Sequence, residues 1–110
     1  MSASENGIVY MPATNGGTVN APNGCEYVVL TPSGSLSTLT VVFPTAPNNA
    51  DEFTIQSTQT IISLTVQSGN GGTVLHGFGT PALGTQTARS WVYSDGSVVG
   101  SPVKTWVPLT

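Results

Sequence analysis

The feature that most constrains this chain is a rhythm of short β-branched runs separated by glycine and proline. The 110 residues include 13 glycines and 8 prolines, so no segment offers an uninterrupted amphipathic period of 3.6 residues. Runs rich in Val, Ile and Thr instead recur at intervals of roughly 8–12 residues, each bounded by Gly, Pro, Asn or Asp. This pattern predicts an all-β protein without helices.

About eight short strands can be read from these runs. We expect them to form a compact antiparallel β-sandwich of jelly-roll-like type that occupies residues 25–110. The Asp95-Gly96 pair indicates a C-terminal hairpin between the last two strands. After a first apolar run near the N-terminus, the predicted strands are residues 25–31, 36–43, 52–57, 60–67, 73–75, 86–93 and 103–109.

Alternation within these strands predicts which side chains face the core. Successive side chains of a strand point to opposite faces, so every second apolar residue is expected to be buried. The inward positions predicted in this way are Leu39, Val41, Phe43, Phe53, Ile55, Ile62, Leu64 and Val66.

The N-terminal 24 residues have the weakest structural signals. Ile8, Val9, Tyr10 and Met11 form their one clear apolar run, which glycine- and asparagine-rich turns follow. An isolated run of this kind is compatible with a first strand and with an extended arm that docks on a neighbouring protein. Both interpretations remain open for residues 1–24.

Charged residues are scarce throughout the chain. They make up 6% of it, against roughly 25% in a typical globular protein. One explanation is an extracellular β protein whose exposed strand faces carry Ser and Thr. The other is that partner proteins cover much of the surface, because interface cores are depleted of charge. We favour the second, since the sequence shows no signal-peptide pattern.

Composition also argues against several partners. The net charge is −3 with two basic residues in all, too few for the phosphate contacts that nucleic-acid binding requires. No apolar stretch approaches the roughly 20 residues of a membrane-spanning helix. The lone Cys25 leaves no intrachain disulfide, and we expect it to be a buried, inert thiol.

Catalytic and metal-binding patterns are missing from the sequence. The single histidine, His76, has no acidic residue near it along the chain that could orient it as a base. One His and one Cys do not make a structural zinc site. Asp51 and Glu52 are adjacent, so within a strand their side chains point to opposite faces. We therefore expect no enzyme, no metal and no cofactor.

Aromatic residues near the C-terminus are the remaining candidate for a site. Trp91, Tyr93 and Trp106 are suited to a platform for sugars or to a subunit contact. Arg89 shares a strand face with Trp91 and Tyr93, which adds a cation–π stack or an interface anchor as an option. The alternative is that the three rings pack in the core.

One segment carries a resemblance. Residues 51–66 read DEFTIQSTQTIISLTV, a Pro-rich loop precedes them, and a Gly/Asn turn and closing aromatic strands follow. This arrangement is similar to segments of tailed-bacteriophage virion proteins, over about 60% of the chain from Val42 onward. Such segments occur in head-decoration (cement) proteins, head fibres and tail-fibre domains, usually as homotrimers. The resemblance implies a virion structural protein.

Length helps to choose among these places on the virion. If complete, a product of 110 residues is too short for a fibre shaft with an adhesive tip. We therefore expect a trimeric capsid decoration protein on the capsid exterior, with Ile8, Val9, Tyr10 and Met11 contacting the major capsid protein. The alternative is a tail-fibre or receptor-binding domain that recognises cell-surface glycans through Trp91 or Trp106. A secreted carbohydrate-binding module ranks third.

Overall fold

The computed structural model describes residues 8–24, 26–75, 83–84 and 87–109. These residues contain no helix and form two β-sheets, which confirms the all-β prediction. The strands are β1 (Ile8–Met11), β2 (Thr18–Asn20), β3 (Tyr27–Leu30), β4 (Leu36–Val42), β5 (Glu52–Ser57), β6 (Ile61–Gln67), β7 (Thr73–Val74), β8 (Ala88–Ser94) and β9 (Thr105–Pro108).

The chain alternates between the two sheets as it runs from β1 to β6. A six-stranded sheet has the order β1-β3-β5-β8-β9-β7, and a three-stranded sheet has the order β2-β4-β6. Each odd strand therefore leads into an even strand of the other sheet and then returns beside its predecessor. The result is a stack of three coils: β1 with β2, β3 with β4, and β5 with β6.

This winding corrects the expected antiparallel, jelly-roll-like pairing. The stacked strands β1, β3 and β5 are parallel, as are β2, β4 and β6 and the pair β7–β9. Only β5–β8 and β8–β9 are antiparallel among the described strands. Parallel neighbours need a connection that crosses back over the sheet. Within the coils a strand of the opposite sheet supplies that crossover. The predicted C-terminal hairpin is confirmed, because β8 and β9 pair antiparallel.

Equivalent residues of successive coils lie in register. Thr18, Thr40 and Thr65 align across the three-stranded sheet. The three valines that follow them, one in each coil, are all buried and form a continuous ladder of identical side chains. These three Thr-Val pairs mark one coil each, whereas the fourth, Thr73-Val74, forms β7 outside the coils. The repeat is one that alternation within single strands does not reveal.

The predicted inward faces are confirmed with one exception. Leu39, Val41, Phe43, Phe53, Ile55, Leu64 and Val66 are buried. In β6 the buried residue is Ile61, while Ile62 is 60% exposed, so the prediction for Ile62 is wrong. The inward residues Ile61 and Leu64 are three apart, and the adjoining β4 has the same spacing at Leu36 and Leu39.

A side chain of the first coil contacts the backbone where β4 departs from strict alternation. Asn15 Oδ1 accepts hydrogen bonds from the backbone N–H groups of Ser37 and Thr38, at 2.8 and 3.2 Å. The N–H of Gly16 donates to the carbonyl of Thr38 at 3.0 Å. Because two N–H groups of β4 bond to a side chain, this part of the strand does not follow a regular ladder. The contact lies in β4 between Leu36 and Leu39, the two buried residues that are three apart.

Between the sheets lies an aromatic cluster centred on Phe43. Its ring centroid is 4.7 Å from Phe53, 5.0 Å from Trp91 and 5.1 Å from Trp106. Tyr93 extends the cluster, with its ring 5.0 Å from that of Trp106. Tilted and edge-on contacts of this kind stabilise a core beyond the area that they bury. The rings thereby join the C-terminal strands to the coils.

Candidate interaction surface

The first coil lies at one end of the stack. β1 is the outermost strand of the six-stranded sheet, and β2 is the outermost strand of the three-stranded sheet. Among the described strands each pairs on one side only, β1 with β3 and β2 with β4. We call these two outer edges, residues 8–20, the open end. Unpaired edges of this kind are templates for pairing with another chain.

The open end carries no electrostatic protection. Residues 8–24 include no Asp, Glu, Lys or Arg. Proteins that must keep an edge strand from pairing usually place charges, prolines or bulges along it. Pro12 and Pro22 follow the two strands and do not interrupt them. The open end is therefore suited to contact with a neutral protein surface.

Of the two interpretations of Ile8–Met11, a first strand or a docking arm, the structure shows a strand that pairs with β3 along its whole length. Ile8 is 37% exposed and Tyr10 is 63% exposed. Val9 and Met11 pack against the core but are only partly buried. The residues aligned with these two in the second coil, Val28 and Leu30, are fully buried. The core at β1 is therefore incompletely covered.

Backbone hydrogen bonds fix which groups of β1 point outward. The N–H of Thr31 donates to the carbonyl of Met11 at 2.9 Å, so the polar groups of Met11 face β3. Because these groups alternate along a strand, those of Val9 also face β3, while those of Ile8 and Tyr10 face away from it. The outer edge of β1 thus presents the N–H and C=O of Ile8 and Tyr10.

At the opposite end of the stack the chain adds further strands of its own beside β5, although β7 is the outer strand of that sheet and β6 pairs with one described strand. β8 pairs antiparallel with β5, and β9 pairs with β8. On the other sheet, Leu83 forms an isolated bridge with Ile61, the first residue of β6. Trp91 Nε1 donates to the carbonyl of Leu75 at 2.8 Å, which ties β8 to the segment after β7. We call this cover, residues 83–84 and 87–109, the closed end.

The aromatic residues that were candidates for a sugar or subunit surface belong to this cover. Trp91, Tyr93 and Trp106 are 0%, 4% and 1% exposed, so they form part of the core and not a surface. Arg89 is half-buried and pairs opposite the buried Ile55. The structure therefore brings the three rings together as core residues, which is one of the alternatives that the sequence leaves open, and they offer no exposed aromatic surface.

An acidic hollow lies beside the start of β3 and β5. Glu26, Asp51 and Glu52, all exposed, line a cavity of about 230 Å³ together with Trp106. Asp51 Oδ2 accepts a hydrogen bond from the N–H of Asn48 at 2.7 Å, which fixes the loop before β5. Within the described ranges, no three His, Cys, Asp or Glu side chains are placed to hold one metal ion. Cys25 and His76 lie outside the described residues.

A second exposed apolar feature is the valine turn, residues 98–103, between β8 and β9. The N–H of Ser101 donates to the carbonyl of Val98 at 2.9 Å, and Gly100 supplies the positive φ of 86° that the turn requires. Val99 is fully exposed at its tip. Nearby, hydrogen bonds from Ser97 hold the pKa of the Asp95 carboxyl below its usual value. This turn is exposed, but it contributes no strand edge.

No family model matches the chain, and no curated protein matches it. In the part of the chain that the structure describes, no helix has the length and apolarity needed to cross a membrane.

Proposed function

We propose that this chain is a non-enzymatic virion protein of the tailed-phage type, a capsid decoration protein that docks on the major capsid protein. It acts on the capsid exterior as a homotrimer and stabilises the assembled head through protein contacts. The observation that carries the proposal is the open end, a neutral edge at which Val9 and Met11 remain half-buried. A docked partner completes their burial.

The scarcity of charge supports the same proposal. Of the charged residues, Glu26, Asp51 and Glu52 lie together beside the acidic hollow, and residues 8–24 carry none. Burying a charged side chain is costly when no partner charge accompanies it. Docking through the open end avoids this cost within residues 8–24, because that segment has no charged side chain to bury. A shell that offers many equivalent sites adds avidity to a modest single contact.

The glycan-binding alternative depended on an exposed Trp91 or Trp106. Both side chains are buried, so neither offers a ring face to a sugar in this fold. No other observation favours a tail-fibre or receptor-binding domain, and we keep capsid decoration as the proposed function.

Binding to heads assembled without this chain tests the proposal. Purified protein added to such heads should appear by electron microscopy as many copies of added density on the shell. Tyr10→Asp, which places a charge on the open end, should reduce that density strongly. Val99→Asp introduces the same charge at a fully exposed apolar residue of the valine turn and should bind as the unmodified chain does.

Two results would contradict decoration through the open end. One is the absence of added density on the shell, or density at the tail alone. The other is equal occupancy by the Tyr10→Asp and Val99→Asp proteins.

A further inference from the structure

We infer that the partner docks by strand addition: an extended, uncharged segment of the shell protein pairs with the outer edge of β1. The inference rests on the proposed function and specifies how the contact is made. Its basis is the difference between β1, which has one described neighbour, and β3, which has two. An added strand would give β1 the environment that β3 already has.

The backbone groups needed for this pairing are in place. Ile8 and Tyr10 direct their N–H and C=O groups away from β3, as the bond from Thr31 N–H to the carbonyl of Met11 establishes. Main-chain hydrogen bonds supply the affinity in recognition by strand addition, and pockets for alternate side chains supply the specificity. Four residues of β1 provide two outward-facing positions for such bonds.

The side chains specify what the added segment must carry. Val28 and Ile55 extend the row that begins at Val9, and both are fully buried. A strand beside β1 adds one more member to this row, so its residue next to Val9 should be apolar. The same holds for the residue next to Met11, which is aligned with the buried Leu30.

The absence of charge in residues 8–24 further restricts which segment can pair with β1. A basic segment would find no carboxylate in residues 8–24 to pair with, and an acidic segment would find no Lys or Arg there. A charged strand would therefore lose hydration without gaining an ion pair. The occupant that fits is a neutral segment with alternating apolar residues.

Substituting proline at position 10 tests the pairing while leaving the bonds to β3 intact. Proline lacks the N–H, and an edge strand tolerates it where that N–H faces away from the sheet. Tyr10→Thr is the matched control, because it removes the same ring, keeps the N–H and favours a strand. Both variants should unfold at urea concentrations close to that of the unmodified chain.

Affinity for heads assembled without the chain is the readout. Tyr10→Thr should bind within a few-fold of the unmodified protein, and Tyr10→Pro should bind about tenfold or more weakly, as loss of a backbone hydrogen bond predicts. Equal binding by the two variants overturns strand addition and leaves docking itself standing. Failure of the unmodified chain to bind heads overturns the proposed function and this inference together.

A second copy of the chain is the competing occupant of the same edge. Sedimentation of the unmodified and Tyr10→Pro proteins distinguishes it. Strand addition by the shell protein predicts the same oligomeric state for both. An oligomer that Tyr10→Pro dissociates would assign the edge of β1 to self-association and overturn the inference.

Discussion

The two ends of the coil stack differ in how the chain treats an exposed strand edge. At the closed end, β8 pairs with β5 and β9 pairs with β8, and the tryptophans of β8 and β9 fill the core. The outer strands there, β6 and β7, have one described neighbour each. At the open end, β1 and β2 have no second neighbour among the described strands, and they carry no charge. Coil stacks require a cap at each end to remain soluble. Under the proposed function, a partner supplies the cap at the open end.

The largest expected effect contrasts one aromatic residue from each end. Trp91 is fully buried and donates a hydrogen bond to Leu75, so Trp91→Ala should lower the free energy of unfolding by about 3–5 kcal/mol. Tyr10 is mostly exposed, so Tyr10→Ala should change the free energy of unfolding by about 0.5 kcal/mol or less. Urea denaturation measures both. Similar losses would mean that the two ends are equally packed.

An intermediate effect is expected where the same substitution falls in two coils. Val28→Ala removes a fully buried side chain and should lower the free energy of unfolding by about 2 kcal/mol. Its aligned neighbour Val9 is only partly buried, so Val9→Ala should lower the free energy of unfolding by about half as much. Thermal or urea unfolding of the isolated proteins gives the comparison. A Val9→Ala loss equal to that of Val28→Ala would show that the core at β1 is already closed.

The smallest expected effect concerns the turn that joins the open end to the second coil. Asn23 Oδ1 accepts hydrogen bonds from the N–H of Thr45 at 2.7 Å and from that of Ala46 at 3.0 Å. Asn23→Ala should lower the free energy of unfolding by about 1 kcal/mol, because exposed hydrogen bonds contribute modestly. Asn23→Asp keeps the hydrogen-bond acceptor and should lower the free energy of unfolding by less than Asn23→Ala does. A larger loss for Asp than for Ala would exclude this role.

Strand positions and faces were largely predictable from the sequence. β5 spans the predicted residues 52–57, and Phe53 and Ile55 are buried as expected. These features follow from local alternation and from glycine and proline at the boundaries, both of which the sequence displays directly.

Strand pairing was not predictable in the same way. An alternating strand looks alike whether its neighbour is parallel or antiparallel, so alternation did not reveal the coils. The recurring Thr-Val pairs at Thr18, Thr40 and Thr65 were the available signal. The Asn15 contact at β4 likewise depends on residues distant in sequence.

The candidate site was predictable in part. The apolar run of residues 8–11 stands out in the sequence, but its position at the end of a stack depends on pairing. The composition of β8 and β9 suggested either a surface or a core, and only the packing of Trp91 and Trp106 against Phe43 distinguished them.

Hydrogen exchange at the Tyr10 amide tests the central proposal most directly, because that N–H faces away from β3. In the isolated chain it should exchange rapidly, while the Val28 amide, in a strand paired on both sides, should exchange slowly. On the assembled head, the Tyr10 amide should become protected to a similar degree. A Tyr10 amide that remains unprotected on the head would contradict docking by strand addition at the open end.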